Sequence, residues 1–229
     1  ATVVSIYSLL LGIGLLLAGY GFLGTLLGIR GSLEQFSGAV IGLIMSAYFF
    51  GFVLGSYICP RLIHRVGHIR AYAAMAAIAS VSVLLHGIFV DPFAWGVLRA
   101  LTGICMVGLY MVVESWLHAV AHPDKRGRVF AVYMLTTLLA IAVGQYLILF
   151  SGPGGLDPFA ISAALFTLGL VPIALTRVQE PPPVPDVQLG LRHLFEISPL
   201  SVVGALLAGT ANGAFFGIGA VFAHNVGMS

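Results

Sequence analysis

Between Val4 and Val226 one apolar stretch follows another, each near or above the length of a bilayer crossing, and nearly all the charge sits in the short segments between them. A hydrocarbon core roughly 30 Å thick takes about 20 helical residues to cross. Lipid offers backbone N–H and C=O groups no partners, so each crossing must be a helix or part of a closed barrel. The runs are continuous rather than alternating, which selects helices over barrel strands. Hydrophobic residues make up 59% of the chain and charged residues 8%, a balance that excludes a soluble globule of this length. The chain is expected to be an all-α polytopic membrane protein.

The first run, Val4 to Leu27, lacks the basic leader of a secretory signal and exceeds its usual apolar length. It reads as a retained helix. Further helices are expected near Gly38–Cys59, Ala71–Phe89, Phe93–Ala119, Val129–Phe150, Phe159–Thr176 and Pro199–Ala223. Basic residues stay on the cytoplasmic side of a membrane. Arg61, Arg65 and Arg70 fall in the second connection, Lys125, Arg126 and Arg128 in the fourth, and Arg177 and Arg192 in the sixth, whereas the opposite connections carry only Arg30. The N-terminus is therefore expected in the cytoplasm, with the segments around Gly31, Asp91 and Gly155 facing outward.

The sixth connection differs from the rest. Pro181, Pro182, Pro183 and Pro185 favour a stiff, extended chain before a short amphipathic stretch, Leu189 to Phe195. This divides the chain into a six-helix bundle over residues 1–177, a cytoplasmic linker over 178–198, and a seventh helix over 199–229 that opens a second, missing half. Small residues recur at close-packing intervals: Gly24 and Gly28, Gly38 and Gly42, Gly51 and Gly55, then Gly209, Gly213 and Gly217. In lipid, backbones that approach through small residues replace the hydrophobic drive of a soluble core.

The sharpest chemical signal lies in helix four. Arg99 and Glu114 each cost roughly 3 kcal/mol to bury in lipid, so residues of this kind face an internal cavity or a partner. They stand fifteen positions apart, about 22 Å along the axis and within roughly 60° of one face, too far to touch. Two readings stay open: a polar track through the bundle, or separate packing pairs, with Glu114 bound to Arg126 or Arg128. Gln145 and Tyr146 on helix five reach the height of Arg99 and are its candidate partners. Asn212 in helix seven and the hydroxyls of Tyr7, Tyr20, Ser46, Tyr48, Tyr110, Thr136 and Thr137 could serve a cavity wall or simply pack.

His64 and His68, like His118 and His122, stand four apart, but no carboxylate or cysteine completes a metal set, and solvated basic loops are expected. Trp95 and Trp116 near the ends of helix four read as interfacial anchors. Cys59 and Cys105 fit neither a metal site nor a disulfide framework. A net charge of +2 dispersed over the connections points away from nucleic acid. There is no nucleophile with base and orienter, no phosphate loop and no haem ligand pair, so no cofactor is expected and an enzyme is disfavoured.

The stretch from Pro60 to Arg70 resembles the signature between helices two and three of the major facilitator superfamily, usually Gly-x-Leu-Ala-Asp-Arg-x-Gly-Arg-Arg. Leu62, Arg65, Gly67 and Arg70 agree; Pro60 replaces a glycine and His64 the family's aspartate. That aspartate locks an inner gate, so the resemblance implies that another carboxylate, Glu114 first, serves here. Arg99 to Gly103 is similar to the family's Arg-x-x-x-Gly pattern, whose arginine is associated with proton coupling. Glu114 to Leu117, Arg126 to Arg128, and Gly144-Gln145 resemble the YcaD-like branch of permeases. Helix five lacks the glycine-proline signature of drug-proton antiporters, which counts against antiport.

The resemblance covers the first half of a twelve-helix plan plus helix seven. It implies two inverted three-helix repeats, a small-solute cavity between halves, and alternating access by rocking. The leading expectation is a proton-coupled secondary transporter of a bacterial inner membrane, in contact with lipid and completed by a C-terminal half or a partner chain. The alternative is a non-transporting membrane scaffold derived from a permease half.

Overall fold

A computed structural model describes residues 2–175 and 191–225, with the side chains of 2–5, 191–192, 214–218 and 220–225 excepted. The expected linker therefore lies outside the described residues as far as position 190, and so does any side-chain environment at Gly217. The described chain is helical throughout apart from its connections. Helices α1 (Thr2–Leu33), α2 (Gly38–Val66), α3 (His68–Ile88) and α4 (Pro92–Val120) are followed by a single 3-10 turn, Pro123–Lys125, which leads into α5 (Arg126–Tyr146). After one further turn come α6 (Asp157–Leu168), continued by Val171–Ala174, then the short α7 (Leu191–Ile197) and α8 (Pro199–Asn225). Among the described residues six helices are long and apolar enough to cross a membrane, and α8 adds a further one of 27 residues.

Local chemistry accounts for the boundaries. Ser37 caps α2 by accepting from the Val40 N–H at 3.3 Å. Asp91 does the same for α4, accepting from Ala94 at 2.8 Å with Pro92 in the first turn, where its missing N–H costs nothing. Gly67 alone separates α2 from α3: its φ of 87° and ψ of 167° lie in a region open essentially only to glycine. The segment expected as a loop from Pro60 to Arg70 is thus mostly helix, with one glycine break.

The packing obeys an internal symmetry. α1 packs against α5 and α6, α4 packs against α2 and α3, and α3 meets α6. Exchanging the first three helices for the next three leaves this pattern unchanged. The correspondence holds residue by residue at the closest crossings. Gly51 of α2 lies against the backbone of Ala100 in α4, and Gly144 of α5 against Ala18 in α1; Gly103 of α4 meets Tyr48, and Gly21 of α1 meets Ile141. Positions 18 and 21 map to 100 and 103, and positions 48 and 51 to 141 and 144, by one constant offset for each helix pair. Because three crossings separate the copies, the second runs opposite to the first: the repeats are inverted. Gly55 likewise sits against Ile104 and Val107, whereas a side chain at Gly24, Gly38, Gly42 or Gly209 would meet nothing within 4 Å among the described residues. Those four glycines do not make the close contacts their spacing led one to expect. Gly213 has Phe49 at 3.6 Å, an ordinary contact.

Hydroxyls tie the third helix of each repeat to the rest. Ser162 of α6 donates to the Gly19 carbonyl at 2.9 Å, and Ser80 of α3 donates to the Ala163 carbonyl at 2.9 Å. Interhelical bonds of this kind hold where lipid supplies no alternative partner. Trp95 and Trp116, expected at the interface with headgroups, are instead core residues, each 1% exposed. Trp95 donates to the His86 carbonyl at 3.0 Å, and Trp116 lies edge-on to His68. Both face α3, so their position near helix ends reflects packing between helices.

Candidate functional site

On one side of the bundle α2, α4 and α5 frame an open groove with a volume of about 430 Å³. Phe52 of α2, Tyr110 and Glu114 of α4, and Tyr133 and Thr137 of α5 contribute to its wall. Tyr133 donates its hydroxyl to Glu114 Oε1 at 3.2 Å. The carboxylate thus stands exposed in a groove, with one protein donor among the described residues and a mostly apolar wall around it. The expected alternatives do not hold: Arg126 donates to the His118 carbonyl at 3.3 Å, and Arg128 is exposed. Tyr133 escaped the sequence reading, although a signal was present. Glu114 lies six residues before the end of α4 and Tyr133 seven after the start of α5, so antiparallel neighbours would hold them at matching depth, about 10 Å in.

Arg99 occupies different surroundings. It is 4% exposed, its guanidinium carbon lies 4.7 Å from the centre of the Tyr48 ring, and its Nε and Nη1 have no hydrogen-bond partner. The face of an aromatic ring attracts a cation through its quadrupole. Tyr48 is in turn 5.3 Å from Tyr20 and 6.0 Å from Phe52, and Phe52 is 6.3 Å from Tyr110. A row of rings therefore runs from the buried arginine to the groove that holds Glu114. The two charges themselves are not brought together.

Gln145 and Tyr146 are not partners of Arg99. Both are exposed, Tyr146 to 67%. Their height is right but their neighbour is wrong, because α4 packs on α2 while α5 packs on α1. Asn212 is exposed and donates to the Ala208 carbonyl of its own helix at 2.9 Å. Ser46, Thr136 and Thr137 likewise donate to carbonyls one turn back, and Tyr7 is exposed. The Ser46, Thr136 and Thr137 hydroxyls are thus satisfied locally.

At the basic end, Leu62 is half-buried against the core, while His64, Arg65 and Arg70 are exposed around Gly67. His68 does not share their solvated setting: it is 2% exposed, with Nε2 2.8 Å from Ser115 Oγ. Ser115 directly follows Glu114, so consecutive residues of α4 reach α3 on one side and α5 on the other. His86, near the opposite end, is fully buried; Nδ1 lies 2.7 Å from the Ser82 carbonyl, which can only accept, so Nδ1 carries the proton.

Comparison with known proteins agrees with the architecture. The family model described as Major Facilitator Superfamily matches residues 2–229. A protein of Escherichia fergusonii described as "Uncharacterized MFS-type transporter YcaD" is 24% identical over 223 residues, 96% of this chain and 58% of that protein. Its counterpart from Salmonella newport is 26% identical over 197 residues, 82% of this chain and 50% of that protein. The chain spans about half the length of the curated relatives it matches. Among solved structures, the crystal structure of nucleoside transporter NupG (D323A mutant) superposes with a TM-score of 0.80 at 14% identity, covering 98% of this chain and 60% of that one. At that identity the likeness speaks to the fold alone.

Proposed function

This integral membrane protein belongs to the major facilitator superfamily of transporters, and from that premise we propose that it forms the N-terminal six-helix half, with the following helix, of a proton-coupled permease for a small solute in a bacterial inner membrane. A completing half, in the same or another chain, would close the groove into a cavity and rock against the bundle. The linker over 178–198 would join the halves on the cytoplasmic side. The observation that carries this reading is the Glu114 carboxylate, held by Tyr133 in a groove between three membrane-length helices.

A carboxylate within a membrane span marks a candidate proton relay. Glu114 would take a proton when the cavity opens to the acidic side and lose it on the other. Arg99, buried beneath Tyr48, supplies a fixed positive field on the same helix. Gly67, with Arg65 and Arg70 beside it, would serve as the cytoplasmic pivot; Glu114 would replace the aspartate absent at His64. The test is uptake into proteoliposomes containing the protein at its native length. Glu114→Gln is expected to abolish accumulation driven by an imposed proton gradient and to leave solute exchange at zero gradient measurable. Gradient-driven accumulation at the unsubstituted rate in that variant would overturn the coupling role.

A further inference from the structure

We propose that the groove at Glu114 selects an amphiphilic organic cation, a quaternary or protonated amine or phosphonium carried on an apolar body. This assignment rests on the transport reading of the same groove and names its substrate class. Its volume of about 430 Å³ falls in the range of roughly 300–1,000 Å³ typical of small-molecule pockets. The wall is chemically one-sided. Phe52, Tyr110 and Tyr133 present aromatic rings and Met111 and Met134 present polarizable sulfur, around the one carboxylate, Glu114. No lysine, arginine or histidine lines the groove among the described residues.

Charge decides between substrate classes. A carboxylate has about four lone-pair sites; among the described residues one is filled, by Tyr133, so the group retains capacity for a cation. An anion would meet repulsion there. Arg99 offers it no rescue, lying fifteen positions away under Tyr48, about 22 Å along the helix. A neutral polar solute would find acceptors at Glu114 but few donors, since the Tyr133 hydroxyl already donates to Glu114 and Thr137 to the Met134 carbonyl, and nothing in it would match the carboxylate's charge. Aromatic faces and thioethers instead suit a soft cation with an apolar body.

The test compares two probes of one shape and opposite charge, tetraphenylphosphonium and tetraphenylborate, binding to the purified native-length protein in detergent. Phosphonium is expected to bind saturably and borate not. Glu114→Gln should weaken phosphonium about tenfold or more, and Tyr110→Ala or Phe52→Ala by about threefold or more. Equal binding of both probes, no binding of phosphonium, or phosphonium binding untouched by Glu114→Gln would each overturn the assignment. Should Glu114→Gln fail to yield folded protein, the two-probe comparison on the unsubstituted protein and the Tyr110→Ala variant decide it. Proteoliposomes separate this inference from the transport reading. Glu114-dependent uptake of an anionic or neutral solute without phosphonium binding sinks the cation and keeps the permease. Phosphonium bound at Glu114 but never moved by a gradient keeps the cation site and sinks the permease.

Discussion

Arg99 is a charge with little to neutralise it: an aromatic face on one side and two nitrogens without partners. Uncompensated buried charge is destabilising, and apolar replacement of buried ionic groups is often neutral or favourable by about 1–4 kcal/mol. Stability alone therefore does not account for an arginine at this position. Arg99→Met keeps the length and loses the charge. It is expected to leave the thermal midpoint in detergent unchanged or raised while reducing gradient-driven uptake about tenfold or more. Arg99→Lys keeps a charge but loses the flat guanidinium that lies over Tyr48, and it is expected to restore only part of the uptake. A midpoint several degrees lower in Arg99→Met would show instead that the arginine is structural.

Helices were legible in the chain because hydropathy reports length and depth; their neighbours were not. In water an amphipathic stripe points each helix at the core, but in a bilayer the lipid-facing and core-facing sides are both apolar, and the stripe vanishes. That loss explains why Gln145 and Tyr146 were matched to Arg99 by height when α2, not α5, packs on α4. It also explains why Trp95, Trp116 and His68 read as surface residues though each is buried. Glycine spacing was informative only in part. Gly51 and Gly55 lie at the α2–α4 crossing, while a side chain at Gly38 or Gly42, on the same helix with the same spacing, would meet nothing within 4 Å among the described residues. Alanine separates the two kinds. At Gly51 and at its symmetry mate Gly144 a methyl group would strike a backbone carbonyl, and each Gly→Ala is expected to cost about 1–3 kcal/mol as overpacking. At Gly42 the same change removes only the entropic penalty of a helical glycine and is expected to stabilise by about 0.5–1 kcal/mol. Thermal unfolding in detergent reads all three, and equal behaviour of Gly42→Ala and Gly51→Ala would refute the crossing geometry.

For the molecule as a whole, the inverted repeat makes the bundle nearly symmetric in shape, so orientation in the membrane must come from charge. The end that carries Gly67 and the turn before α5 holds Arg61, Arg65, Arg70, Lys125, Arg126 and Arg128. At the other end, the connections carry no lysine or arginine and Arg30, in the last turn of α1, is not free: it pairs with Glu34 at 2.6 Å and donates to the Pro153 carbonyl at 3.4 Å. Basic residues in short connections resist translocation, so the Gly67 end is expected in the cytoplasm and the Pro153 end outside. Cysteine labelling tests this directly, because both native cysteines, Cys59 and Cys105, are buried and can be replaced to give a silent background. A membrane-impermeant maleimide added to intact cells is expected to label Gly154→Cys and to spare Lys125→Cys until the membrane is opened. The reverse pattern would invert the bundle, placing the Gly67 pivot on the outer face and depriving the proposed cytoplasmic gate of its position, while leaving the helix packing and the Glu114 groove unaffected.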